Sequence, residues 1–383
     1  MTRLLILSFS PLLSDARVLK QIREFTRDYD VVTCGYGDAP PGVVEHIRIP
    51  DEMRLDDQAG KLITLRQYRL AYGSVSGVRW ARRELRGRDF DIVLANDLET
   101  LPIALELNPR LGVHSDLHEY SPLLHEEHAP WKRWISPYLT WLCRRSLPRA
   151  TSITTVSHGL QRAYRDEFGV DVEVVTNAAP FIDAEPTPVH SPLRLVHSGA
   201  GLRNRALHET VEGVMLSSAD VTLDLFLTPN DPRYIGELRD LAARSGGRVR
   251  VNDPVPYAQL AQTLQGFDVG VFVLRPVNFS YRWSLPNKIF DYVQARLATL
   301  VGPTPEMAEF VRDNGIGMVA EGYSPESIAA AVDALTPQDV VRFKAAAHAR
   351  ARELSADPQI AVWRRAVDRI RDGEAISGKG ARR

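Results

Sequence analysis

Residues 284–301 read Ser-Leu-Pro-Asn-Lys-Ile-Phe-Asp-Tyr-Val-Gln-Ala-Arg-Leu-Ala-Thr-Leu-Val, an amphipathic helix passing through a short turn into an apolar strand. Pro286 has a fixed φ suited to the first helical turn, and Ser284 or Asn287 can cap amides there. Ile289, Phe290, Val293 and Leu297 recur at i, i+3/i+4 spacing, which buries one face and leaves Asn287, Lys288 and Asp291 for polar work. A helix start beside a lysine favours an anion, because free N–H groups, the macrodipole and an ammonium act together. One turn on, Asp291 can accept hydrogen bonds from vicinal hydroxyls. A nucleoside diphosphate fits this pattern, with phosphates at the helix tip and ribose at the carboxylate. An ordinary amphipathic helix with a proline start fits it too.

The 383 residues are long for one core and suit two domains. Lysine and arginine number 47 against 48 acidic residues, so bulk charge gives no argument for a nucleic-acid partner. Cys34 and Cys143 show no metal-type spacing and suit free thiols in a reducing compartment, which points to a cytoplasmic address. The start of the chain carries no signal-peptide cleavage pattern, and no apolar run approaches the roughly 20 residues a bilayer needs.

Strand and helix signals alternate along the chain. Leu4–Phe9 is expected as a buried first strand. Ser14 then caps a helix through Val18, Leu19, Ile22 and Phe25, and Val31–Thr33 is the second strand. Further strands are expected at Asp91–Ala95, Ile153–Val156 and Val172–Val175, and then at Leu193–His197, Val221–Leu227, Val249–Val251 and Val269–Val273. Such alternation makes doubly wound parallel sheets. The proline-rich interval 183–192 is the expected linker, separating domains at 1–182 and 193–345. Residues 346–383 are expected to form a C-terminal helix, with Trp363, Val367 and Ile370 on one face, and a flexible tail after Gly373.

Three further stretches carry candidate chemistry. Ser198-Gly199-Ala200-Gly201, followed by Arg203 and Arg205 at a helix start, forms a phosphate cradle from exposed N–H groups. Asn204 stands where a dinucleotide fingerprint needs its third glycine, which weakens an oxidoreductase reading. The densest ionisable cluster is 114–128, with His114, Asp116, His118, Glu119, His125, Glu126, Glu127 and His128. Zinc is disfavoured there, because His-Glu-Glu-His lacks the i, i+4 histidine pair and Pro122 breaks any single helix. His118 can accept or orient a hydroxyl proton, or serve as a satisfied structural histidine. From Lys61 to Arg88, and again from Trp131 to Arg145, basic and aromatic residues share helical stretches. Such faces suit a phosphorylated acceptor or an anionic membrane surface, and equally a solvated face or a packed core.

The Pro-Asn-Lys-Ile-Phe-Asp-Tyr segment resembles the donor-site motif of family-four-type glycosyltransferases of the GT-B architecture, which usually read Pro-Asn-Lys-Leu-Phe-Glu-Tyr. Ser-Asp-Ala-Arg-Val-Leu-Lys, Asn-Asp-Leu-Glu-Thr and Asp-Leu-His-Glu-Tyr resemble the same group's first loop, strand end and acceptor-facing loop, in that chain order. The resemblance implies two Rossmann-like domains facing a central cleft, with a C-terminal helix crossing back to the first. It implies a retaining, metal-independent transferase of glycan or glycoconjugate biosynthesis, with a nucleoside-diphosphate sugar as substrate and no cofactor. Its implied donor residues are Gly199, Gly201, Arg203, Arg205, Leu285, Pro286, Asn287, Lys288 and Asp291. Asp15, Asp97, Asp116, His118 and Glu119 fall on the acceptor side, and His118, Arg205 and Lys288 carry catalysis. The acceptor is a sugar, a lipid-linked species or a small molecule, and a lipid-linked one would place the protein peripherally at the inner membrane face. Trp283 replaces the family's first glutamate and Arg296 a glycine, departures that also admit a catalytically inactive nucleotide-sugar-binding partner subunit.

Overall fold

The computed structural model describes residues 1–373, so the tail expected after Gly373 lies outside the described residues. The chain divides into two compact units. The first comprises 1–176, 278–280 and 359–373; the second comprises 177–277 and 281–358. Expected linker residues 183–192 therefore lie within the second unit. Among the described residues no helix is long and apolar enough to cross a membrane.

The first unit holds seven strands: β1 (Arg3–Pro11), β2 (Asp30–Tyr36), β3 (Glu45–Arg48), β4 (Ile92–Asn96), β5 (Gly112–Leu117), β6 (Ser152–Thr155) and β7 (Glu173–Val174). All pair in parallel, in the order β3-β2-β1-β4-β5-β6-β7. Leu4 pairs with both Val31 and Ile92, and all three are fully buried. Apolar runs such as Leu4–Leu7 and Ile92–Ala95 form the centre because parallel sheets are covered on both faces. Strand β5 escapes sequence inspection because it is polar: His114, Ser115 and Asp116 are buried in its middle. His114 hydrogen-bonds Ser152 and Thr154 of the neighbouring strand, and burial pushes its pKa down to about 4, so it stays neutral.

The second unit repeats the plan with β8 (Leu193–Ala200), β9 (Val221–Thr228), β10 (Val249–Asn252), β11 (Val269–Phe272), β12 (Ala298–Val301) and β13 (Gly317–Val319). Its parallel order is β10-β9-β8-β11-β12-β13. In each sheet the chain builds outward on one side and then crosses to the other. The crossings fall between β1 and β4 and between β8 and β11, and open α/β sheets bind ligands at the carboxyl ends of strands there.

Helix starts differ from the sequence expectation in two places. Asp15, rather than Ser14, caps the Ala16–Phe25 helix, its Oδ1 accepting from the amides of Arg17 and Val18 at 3.1 Å. The Ser14 hydroxyl instead donates to the Pro11 carbonyl. In the second unit Pro286 is the cap residue itself, the helix runs Asn287–Gln294, and no side chain caps it. The Ser284 hydroxyl turns back to the Tyr281 carbonyl.

One buried ion pair joins several elements of the first unit. Arg17 donates Nε–H and Nη2–H to the two oxygens of Asp116 at 2.8 and 2.7 Å, Nη1–H to the Val175 carbonyl, and lies over the Trp363 ring. Gln21 and Thr154 also donate to Asp116. Trp363, Val367 and Ile370 of the Ala356–Asp372 helix pack with Leu4, Ile22 and Leu94. Breaking such a pair from one side strands a buried charge, so Arg17→Met is expected to destabilise the protein by about 3–5 kcal/mol. Denaturant unfolding of the variant checks this, and a loss under about 1 kcal/mol would contradict it.

Candidate functional site

In the second unit, the crossing point lies beside Lys288. The lysine chain lies across Gly199 at the end of β8, where a Cβ would sit 2.3 Å from Lys288 Cε and 2.4 Å from Nζ. Gly199 has φ +143° and no side chain, and both properties are needed for the lysine to occupy this place. The ammonium sits 5.1 Å from the centre of the Phe272 ring at the end of β11. Arg205 is the second cation. It lies in a short turn, Arg203–Arg205, ahead of the Leu207–Leu216 helix, with its guanidinium 5.0 Å over the Tyr281 ring and its Nε buried without a hydrogen-bond partner.

Burial and then the nearby Arg205 charge push the Lys288 pKa down to about 8, and Asp291 offsets only part of this. Two like charges held together, with no ion-pair partner for either among the described residues, favour any anion that neutralises both. Below them, His197 stacks on Phe272, and its Nδ1–H donates to the Val271 carbonyl at 3.0 Å. Burial, followed by the Lys288 charge, pushes its pKa down to about 3. Its Nε2 is a buried acceptor with no partner. The uncapped amides of the Asn287–Gln294 helix add a third source of positive potential.

Other expected donor residues divide by position. Asn287 is exposed at the helix start, Pro286 half-exposed beside it, and Asp291 half-buried one turn on. Leu285 is buried against the Phe272 and Ile289 core. Gly201 packs against Ile235, where a Cβ would come within 2.7 Å of the side chain. Arg203 is engaged elsewhere: it pairs with Glu237 at 2.7 Å, reaches Asp231 at 3.8 Å and lies over Tyr234. Arg205, not Arg203, therefore accompanies Lys288.

The first unit gathers its candidates at the ends of β4 and β5. His118 Nδ1 faces Asp97 Oδ2 at 3.2 Å, and Nε2 faces Asp116 Oδ2 at 3.4 Å. Burial alone would lower the imidazole pKa, but the two carboxylates outweigh it and lift it to about 10. An imidazolium with both N–H groups facing carboxylates has no lone pair for a proton, so of the two alternatives expected of His118 this geometry suits orienting a hydroxyl over accepting its proton. Asp116 is fully buried with its oxygens taken by Arg17, Gln21, Thr154 and His118, which makes it a support rather than a ligand contact. Asp97, half-buried at φ +65°, also accepts the His118 amide through Oδ1. Asp15 is held as a helix cap, and the exposed Glu119 receives the Tyr164 hydroxyl at its carbonyl. In the 125–128 stretch, His125 and His128 lie 4.0 and 3.9 Å from Glu127, and Glu126 accepts the Phe279 amide.

Residues 16–184 match the profile described as Glycosyltransferase Family 4. A search of curated proteins gave no match. Among solved structures, HepE of Anabaena, determined with UDP and glucose, aligns at TM-score 0.68 and 12% identity over 96% of this chain and 100% of its own. Sucrose-phosphate synthase of Thermosynechococcus elongatus aligns at 0.67 and 13% identity over 97% and 100%. The trehalose 6-phosphate synthase of Burkholderia multivorans aligns at 0.68 and 12% identity over 97% and 100%. The chain has their GT-B fold of two parallel-sheet α/β domains, and residues 16–184 resemble family-four glycosyltransferases.

The sequence reading passed over one residue of this GT-B first unit. Glu99 follows Asp97 by two positions in the same loop, and the Tyr72 hydroxyl holds its carbonyl at 2.6 Å. Burial, and then the Asp97 charge, push the Glu99 pKa up to about 7, with the His118 cation opposing. The only sequence signal was the second carboxylate of Asn-Asp-Leu-Glu-Thr, which spacing alone could not separate from solvent-facing polarity. Carbon-detected NMR titration is expected to show a Glu99 carboxyl midpoint near 7 and a His118 ring protonated until about pH 10. A Glu99 midpoint near 4 with a His118 midpoint near 6.5 would overturn this reading.

Proposed function

We propose that the protein is a glycosyltransferase that moves a sugar from a nucleoside-diphosphate sugar to an acceptor hydroxyl, with retention of anomeric configuration. The observation that carries this reading is the meeting of Lys288, Arg205 and an uncapped helix start at the β8/β11 crossing. That arrangement suits a diphosphate, and HepE, similar in fold, was solved with UDP and with UDP-glucose.

Lys288 and Arg205 would hold the phosphates and neutralise the charge that grows on the leaving diphosphate, the task a divalent ion performs elsewhere. In this reading the reaction needs no essential metal. Asp291 would take the ribose hydroxyls. Tyr257, an exposed aromatic at the start of the Tyr257–Leu264 helix, would meet the base. In the first unit Asp97 and Glu99 would receive the acceptor hydroxyl, oriented by the His118 cation. The C–O bond to phosphate breaks as the bond to the acceptor oxygen forms. The acceptor proton leaves on the diphosphate, in keeping with the commitment of both His118 nitrogens.

The first unit also offers a surface for a membrane-linked acceptor. Leu65 and Leu70 are exposed at 69% and 59%, amid Lys61, Arg66 and Arg69, none of which has an ion-pair partner among the described residues. Basic groups around exposed apolar side chains suit the face of an anionic bilayer, at about 1 kcal/mol per cation. We place the protein in the cytoplasm, peripheral to the inner membrane face.

Donor binding is tested with UDP by calorimetry. Lys288→Ala is expected to weaken it about 10- to 100-fold, the equivalent of a charge-assisted hydrogen bond worth about 1.5–3 kcal/mol. The Lys288 ammonium is present below its lowered pKa, so wild-type affinity should fall as pH rises through about 8. Binding near that pH should take up a proton, seen as a dependence on buffer ionisation enthalpy. Unchanged affinity in Lys288→Ala, or a flat pH profile, would count against the donor assignment. Release of free sugar from UDP-glucose by the purified protein would separate an enzyme from a binding-only subunit.

A further inference from the structure

The helix Ser76–Leu85 turns Gly77, Val78, Ala81 and Leu85 into the core and leaves Ser76, Arg79, Trp80 and Arg83 on the other face, at i, i+3, i+4 and i+7. That face and the loop after β3, with Pro50, Glu52 and Met53, enclose a groove of about 580 Å³. The volume is within the range of small-molecule sites, about 300–1,000 Å³. Its two walls are fixed to one another. The Arg54 amide donates to Ser76 Oγ at 2.7 Å, the Gly77 amide donates to the Arg54 carbonyl at 2.9 Å, and the Tyr36 hydroxyl holds the Met53 carbonyl. Gly77 permits this approach, since a Cβ there would meet Leu55 at 3.0 Å and the Arg54 carbonyl at 3.2 Å.

One wall of the groove is basic and the other acidic: the facing loop, 50–57, carries Asp51, Glu52, Asp56 and Asp57 against Arg54 alone. Residues 60–88 contain eight basic side chains and one acidic, Glu84, which pairs with Arg83 at 2.9 Å. Arg82 and Arg88 pair with Glu106 and Glu45. Arg79, in the groove, has no ion-pair partner among the described residues. Trp80 is half-buried beside it and also lines the groove. An indole on the same helix face as two guanidinium groups, with Glu52 on the facing loop to receive hydroxyls, matches a sugar ring that bears an anionic group.

We propose that this groove binds a saccharide carrying a phosphate or carboxylate, its ring on Trp80 and its anion on Arg79 and Arg83. The proposal extends the acceptor side of the transferase reading, and its test does not rely on donor chemistry. Glucose 6-phosphate, glucose and inorganic phosphate are titrated by calorimetry into the full chain saturated with UDP, so that the nucleotide site is occupied. The wild type is expected to bind glucose 6-phosphate about tenfold more tightly than either glucose or phosphate. Arg79→Ala/Arg83→Ala should abolish the preference over glucose, and Trp80→Ala the preference over phosphate. UDP affinity should be unchanged in both variants, which also reports that they fold.

Absence of UDP binding by the wild type would count against the donor reading, and glucose 6-phosphate would then be titrated without UDP. Equal binding of glucose 6-phosphate and phosphate, or a preference that survives the double arginine change, would overturn the groove proposal. A sedimentation assay with phosphatidylglycerol vesicles separates the remaining source of phosphate. If the wild type binds vesicles through Arg79 and Arg83 but does not bind glucose 6-phosphate, the groove is a membrane contact and the saccharide assignment falls.

Discussion

A carboxylate removed from water must be answered from every side, and in each unit one fully buried aspartate imposes that demand on the elements around it. Asp116 in the first unit draws Arg17 and Gln21 from the Ala16–Phe25 helix, Thr154 from β6 and His118 from the end of β5. Asp268 in the second accepts from Lys344 at 3.4 Å and from the amides of Arg194 and His190. Neither pairing is strong evidence of net stability, since desolvation consumes much of the Coulombic gain. Their effect is to fix position. With Arg17 and Asp116 in place, His118 has one site that satisfies both its nitrogens, and Asp97 follows from it.

The two candidate sites treat charge in opposite ways. In the first unit every cation near the β4 and β5 ends has a carboxylate, and the unusual group is Glu99, an acid kept close to its ionisation point by burial and by Asp97. In the second unit Lys288 and Arg205 have no ion-pair partner among the described residues. Arg205 lowers the Lys288 pKa, and both lower that of His197, so repulsion is stored where an anion would relieve it. A buried neutral histidine beneath the pair is what such a site requires, because a third positive charge there would be expelled. The glycine at 199 and the missing side-chain cap at Pro286 serve the same end by keeping space and amides open.

Apolar periodicity made most of the architecture legible. Continuous runs such as Leu4–Leu7 and Val269–Val273 declared buried strands, and the helix with Trp363, Val367 and Ile370 on one face was visible from spacing. Strand β5 was not, because buried His114, Ser115 and Asp116 interrupt its apolar pattern, His114 and Asp116 being satisfied across the sheet by Ser152 and Thr154. Strands β3 and β13 were too short to stand out from their surroundings. At the sites, residue type identified Lys288 and Arg205 but could not tell them from Arg203, whose guanidinium is taken by Glu237 from another helix. The same limit applies to His118, since a histidine between two carboxylates and a free one are spelled alike.

Arg296 shows how a departure from a family pattern can be absorbed by local geometry. The position follows the Asn287–Gln294 helix and has φ +61°, the left-handed conformation that a glycine adopts without cost. Arginine adopts it at a penalty of about 1–2 kcal/mol, and its side chain offers compensation. The buried guanidinium donates to the Val293 and Gln294 carbonyls, closing the end of its own helix, and to the Ile182 carbonyl at 2.6 Å, while Phe181 packs against it. A glycine would meet the backbone requirement alone; the arginine meets it and also ties down the chain at 181–182. The substitution therefore acts at the carboxyl end of the helix, two turns from the amides and the lysine at its start. The helix has a sealed C-terminus and an open N-terminus, and an open N-terminus is where an anion can bind.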